Sequence, residues 1–176
     1  MRARIVRNDK SNAREVVIIG IDPGLAATGY GIVRRNSQKI ECLDYGCITT
    51  SAKAQTPERL RVIYDGILAL MKRWAPEMAV LEEVFMKRAT PSTALSIGQV
   101  RGIVLLAAAE HSCTVLGIQP RSVKLALTGS GAADKSQVEK GLRRILGIPG
   151  PISPDHAADA LGLAYVGAMR GIEPDL

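Results

Sequence analysis

Aromatic side chains are scarce in this chain of 176 residues: one Phe, one Trp and four Tyr make up 3% of it. A core must therefore be built from Ala, Val, Ile and Leu, and the lone Phe85 stands out against that background. Cysteine is also sparse. Cys42, Cys47 and Cys113 are odd in number and lack Cys-x-x-Cys spacing, which argues against a disulfide framework and a thiolate metal site. A reduced, cytoplasmic protein fits best. Although 47% of the residues are hydrophobic, no unbroken apolar run reaches the ~18 residues of a membrane span, so no membrane association is expected. No apolar stretch precedes Val16, which removes a secretory signal from consideration. Repeats, low-complexity tracts and linkers are missing as well. The chain reads as a single domain over residues 16–176, preceded by a disordered basic arm at residues 1–15.

What is present begins with positive charge. The formal net charge is +6 with a pI near 9.5, which favours a polyanionic partner. Half of that excess lies in the first fifteen residues, where Arg2, Arg4, Arg7, Lys10 and Arg14 outweigh Asp9 and Glu15. Charge by itself is thus a weak argument for nucleic-acid binding.

The run Val16 to Ile21 predicts a buried strand that ends in the turn Asp22-Pro23-Gly24. Thr28–Val33 and Ile40–Thr50 read as two further strands joined as a hairpin through the polar stretch Arg34–Gln38. Thr56-Pro57-Glu58 opens a helix, with Thr as the cap and Pro at the first position. Met78–Leu81 is a short fourth strand, Pro91–Glu110 a long helix, and Thr114–Ile118 a fifth strand. Helices are then expected at about 121–127, 135–146 and 154–169, the last capped by Ser153. This order predicts an α/β fold: a five-stranded mixed sheet, one hairpin at its side, helices on both faces.

Three acids sit where apolar elements end. Asp22 closes the first strand, Glu82 closes Met78-Ala79-Val80-Leu81, and Asp159 lies one turn into Asp155-His156-Ala157-Ala158-Asp159. A carboxylate in such company costs several kcal/mol unless it is neutralised. If the three converge, a divalent metal ion is the natural neutraliser and phosphoryl chemistry the natural use. Two of them have a simpler reading, Asp22 as a turn-forming Asp and Glu82 as an exposed strand-end carboxylate; a favourable helix-start charge explains Asp155 but not Asp159, which lies beyond the first turn. Spacing leaves Glu82 against Glu83, and His156 against Asp155, undecided.

The motifs themselves are distinctive. Gly20-Ile21-Asp22-Pro23-Gly24 followed by Thr28-Gly29-Tyr30-Gly31 resembles the opening of the RuvC family of bacterial Holliday-junction endonucleases. So do Glu82-Glu83-Val84-Phe85-Met86, Ser96-Ile97-Gly98-Gln99-Val100-Arg101-Gly102 and Gln119-Pro120-Arg121-Ser122-Val123-Lys124. Gly129-Ser130-Gly131 through Asp134-Lys135, and His156-Ala157-Ala158-Asp159-Ala160-Leu161, complete a set that runs in order from about Val16 to Ala168. The resemblance implies a ribonuclease-H-like fold and a homodimer that nicks two like-polarity strands of a four-way DNA junction. It implies that Asp22, Glu82, His156 and Asp159 are the catalytic, metal-binding residues, which selects Glu82 over Glu83 and His156 over Asp155. The expected cofactor is a pair of Mg²⁺ ions roughly 4 Å apart, with Mn²⁺ able to substitute. Phe85 is expected to stack on bases at the junction centre, and Lys124 and Lys135 to stand beside the scissile phosphate. The RuvA and RuvB branch-migration proteins are the partners such a protein implies. Set against these readings are an actin-like phosphate-binding hairpin, a junction binder without cleavage, and a ribonuclease-H-like nuclease acting on RNA.

Overall fold

The computed structural model describes residues 14–37, 39–83 and 90–171. Its centre is the strand β1 (Val16–Asp22), hydrogen-bonded on both edges. On one side β2 (Ala27–Asn36) runs antiparallel to it, from Val16↔Arg35 to Asp22↔Gly29. On the other, β4 (Met78–Glu82) runs parallel, from Ile18↔Met78 to Ile21↔Leu81. β3 (Lys39–Thr49) flanks β2 and β5 (Thr114–Ile118) flanks β4, giving the order β3-β2-β1-β4-β5. The wholly apolar runs of β1 and β4 explain their central place, because both of their faces must be covered.

Helices do that covering. Ile18 and Val80 turn to the side occupied by α5 (Asp155–Arg170), while Ile19, Ile21 and Leu81 turn to the side of α1 (Thr56–Trp74) and α2 (Pro91–Glu110). α3 (Pro120–Thr128) packs against α5, and α4 (Lys135–Leu146) packs against α3. The expected sheet with helices on both faces is therefore observed.

Several boundaries differ from expectation. Strands β2 and β3 continue through Arg34–Asn36 to Lys39, so the hairpin connection is tight rather than a five-residue loop. Cross-strand pairs such as Arg34–Glu41 carry polar residues into the ladder, where local polarity alone suggests a loop. Gln55, not Thr56, caps α1, and its backbone N–H donates to Glu58 three residues on. The residue preceding α5 is Pro154, whose carbonyl accepts from the Ala157 N–H; Ser153 supplies no cap.

α2 is apolar nearly all round and, by length and composition, is the one described helix that could cross a membrane. Its stripe Val100, Val104, Ala107 and Ala108 is instead buried within the fold. Leu95 and Leu106 stand 66% and 54% exposed, leaving an uncovered apolar side. Of the arm at residues 1–15, only Arg14 and Glu15 are described, and they form ion pairs with Glu77 and Arg34.

Candidate active site at the carboxyl end of the sheet

Because β1 and β4 are parallel, their carboxyl ends share one edge of the sheet, and Asp22 and Glu82 emerge together there. Side-chain alternation sends Asp22 the way of Gly20 and Ile18, and Glu82 the way of Val80, toward α5. Glu83 takes the opposite face and lies over Gly117 of β5. Of the two glutamates, Glu82 is therefore the one on the α5 face with Asp22.

α5 starts at the same edge and runs back along β1. Two glycines let it come close. A Cβ at Gly20 would stand 2.0 Å from the Ala160 carbonyl oxygen, and one at Gly29 would stand 2.0 Å from that of His156. The helix therefore rests on the bare backbone of β1 and β2, which brings His156 and Asp159 over the sheet end. His156 Nδ1 and Asp22 Oδ2 share a hydrogen bond of 2.6 Å. Of Asp155 and His156, it is His156 that bonds to Asp22.

Asp159 is held by the Lys135 ammonium, Nζ to Oδ2 at 3.0 Å. Lys135 begins α4, where Asp134 caps the helix through the Gln137 N–H. Lys124 of α3 joins Glu82, Lys135 and Asp159 around a cleft of about 210 Å³ with an apolar floor of Val123, Val138 and Leu163. Arg121 lies apart from this cleft, against Gly131. Phe85, Lys87 and Arg88 lie outside the described residues.

Burial pushes the Asp22 carboxyl above its ordinary range, opposed chiefly by His156. Glu82 is raised for the same first reason, and next by the negative charges of Asp22 and Asp159. Lys135 is held above its usual value by its bond to Asp159. The acids therefore feel one another across the site. Among the described residues, however, no three His, Cys, Asp or Glu side chains are grouped as a ready metal-binding set. His156 and Lys135 occupy the places on Asp22 and Asp159 that a cation would take. The chemistry of the donor set, three partly desolvated carboxylates and an imidazole, fits a hard divalent ion once those two contacts open.

Three further contributors carry little signal in the sequence. The fully buried Thr28 donates to the Gly24 carbonyl at 2.8 Å, and Thr50 to that of Leu25 at 2.6 Å, pinning the turn after Asp22. Arg101 donates to the carbonyl of Glu82 at 2.9 Å. The Thr-Gly step after the turn could have pointed to Thr28; nothing local points to Thr50 or Arg101, whose partners are distant in sequence.

The mixed five-stranded sheet thus carries acids at the ends of its two central parallel strands and a third on the helix across them. The family model described as crossover junction endodeoxyribonuclease RuvC matches residues 18–166. The RuvC of Desulfitobacterium hafniense is 42% identical over 149 residues, 85% of this chain and 90% of the relative. That of Treponema denticola is 43% identical over 158 residues, covering 89% and 87%. The structure of T. thermophilus RuvC in complex with Holliday junction substrate superposes with a TM-score of 0.82 at 35% identity, covering 88% of this chain and 94% of that one. The chain belongs to the RuvC family of crossover junction endodeoxyribonucleases.

Proposed function

We propose that this protein resolves four-way DNA junctions by metal-dependent hydrolysis, nicking two strands of like polarity. The observation that supports the reading is that Asp22 and Glu82 end two parallel strands at one sheet edge, with His156 hydrogen-bonded to Asp22, inside the span that matches the family.

Those four residues would hold the metal, with Mg²⁺ the proposed ion and Mn²⁺ a substitute. When bound, a pair of such ions supplies acidification of the attacking water and stabilisation of the leaving 3′ oxygen. The chain's own groups set the stage. Asp22 and Glu82, raised by burial, have the most to gain from a cation at this edge. Lys135 and Lys124 flank the cleft and would draw the scissile phosphate into it. Lys135 then exchanges a carboxylate partner for a phosphate one. The apolar floor restricts water on the far side of the site. Products would be a 5′-phosphate and a 3′-hydroxyl.

Phe85, in the segment that follows Glu82 and Glu83 in the sequence, is proposed to stack on bases at the junction. A second copy of the chain is the proposed cover for α2: a Cβ at Gly98 or Gly102 would meet nothing within 4 Å, and Leu95, Leu105 and Leu106 surround that open strip. Two sites related by a two-fold axis suit symmetrical cleavage. The nuclease unit is proposed to span residues 16–176, with residues 1–15 adding salt-dependent attraction to phosphates. The three free thiols suit a reducing cytoplasm, and RuvA and RuvB are the proposed partners there.

The test is a synthetic four-way junction with Mg²⁺. The wild type should cut symmetrically, and Asp22→Asn should bind the junction yet leave it intact. Equal cutting of linear duplex or of RNA–DNA hybrid would redirect the assignment to another nuclease of this fold.

A further inference from the structure

The β1–β4 ladder stops one residue short of the acids. Its last pair is Ile21↔Leu81, so Asp22 and Glu82 have no sheet hydrogen bond between them. On the other edge of β4, the Glu83 N–H donates to the Ile118 carbonyl at 2.9 Å. Across a trans peptide the C=O points opposite to the following N–H. The carbonyl of Glu82 therefore faces the β1 side, where, among the described residues, the ladder offers no further strand pair. Arg101 fills that place, donating from Nη1 at 2.9 Å. It reaches there from α2, nineteen residues along the chain. On α2 it sits between Gly98 and Gly102 in sequence, beside the open strip, and at helical spacing from the buried Val104 and Ala108.

We propose that Arg101 is a positioning residue for Glu82: by replacing the missing strand partner it fixes the backbone from which the carboxylate projects, and it ties that backbone to α2. The inference rests on the nuclease reading above, with Glu82 as a metal-holding carboxylate and α2 as the helix that meets the second copy. Assembly at α2 and the aim of Glu82 then share one mechanical link. A guanidinium suits the task because it keeps its charge at every relevant pH and offers donors in a fixed plane.

Two variants test it, Arg101→Met and Arg101→Lys, each compared with the wild type. Loss of a group that orients a ligand-bearing residue typically costs ~10–100-fold in metal affinity or rate. For Arg101→Met we expect a fall of that size in kcat on the synthetic junction, and a weaker Mg²⁺ midpoint in thermal-shift titration without DNA. Junction affinity without metal should stay within ~2-fold of wild type, because phosphate contacts are untouched. Light scattering should still report the wild-type oligomer. Arg101→Lys should recover part of the rate, and it decides the matter if the Met variant fails to fold. Wild-type metal midpoints in Arg101→Met would overturn the proposal. A junction affinity that falls in step with kcat would overturn it too, by making Arg101 a DNA contact. The metal titration decides positioning even for a protein that cuts no junction, so it separates this claim from the activity it builds on.

Discussion

Substituting Gly29 by Ala should damage catalysis more than its size suggests. Gly29 pairs with Asp22 across the sheet, and its missing side chain is where α5 begins. The added Cβ would stand 2.0 Å from the His156 carbonyl oxygen and 2.4 Å from its carbonyl carbon. Both atoms are backbone, so no rotamer change relieves the clash. Ordinary contact begins near 3.4 Å, so the first turn of α5 must recede by more than an ångström or the strand must bend. Overpacking of this kind costs about 1–3 kcal/mol of stability. The same recoil carries His156 off Asp22 and displaces Asp159 from the sheet edge. A misplacement of about 1 Å in a catalytic group costs on the order of 10²-fold in rate. Urea unfolding and single-turnover junction cleavage measure the two effects separately. Gly150→Ala is the control, since a Cβ there meets nothing within 4 Å. Wild-type cutting by Gly29→Ala would show that α5 does not need its close seat on β2, and that the site tolerates a looser helix.

Other outcomes follow from the same geometry. Burial raises the Asp22 and Glu82 carboxyls, so the folded, metal-free protein holds protons that the unfolded chain releases; stability therefore falls as pH rises from about 4 through that window. Asp22→Asn should flatten part of this fall in metal-free thermal melts, and identical pH slopes for both proteins would contradict it. His156→Asp should keep Mg²⁺-dependent cleavage, because a carboxylate is an equally suitable ligand for a hard divalent ion, whereas His156→Ala should weaken the Mg²⁺ midpoint in thermal-shift titration. A wild-type midpoint in His156→Ala would count against ligation by His156. Leu106→Asp, on the uncovered side of α2, should yield a folded monomer by light scattering; a dimer of wild-type size would place the interface elsewhere.

Much of this could be read directly from the chain. The apolar runs of β1 and β4 announced central strands, and the element order announced the mixed sheet, because strands buried on both faces leave an unmistakable composition. The acids at Asp22, Glu82 and Asp159 were visible as charges placed where burial makes them costly. Polar cross-strand pairs at the β2–β3 hairpin hid its true length, and capping residues shifted by one, since local preference yields to packing at element ends.

What the sequence determined alone was the inventory: which strands lie at the centre, and which acids stand at the ends of apolar elements. What only the tertiary structure decided was orientation and distance. Parallel pairing put Asp22 and Glu82 at one edge, strand alternation chose Glu82 over Glu83, and bare glycine backbone let α5 deliver His156 to Asp22. Arg101 shows the same division most sharply, because its hydrogen bond depends on where a ladder ends and on a helix from another part of the chain. Such facts arise from contacts between distant segments, and a linear pattern records only what each residue prefers among its neighbours.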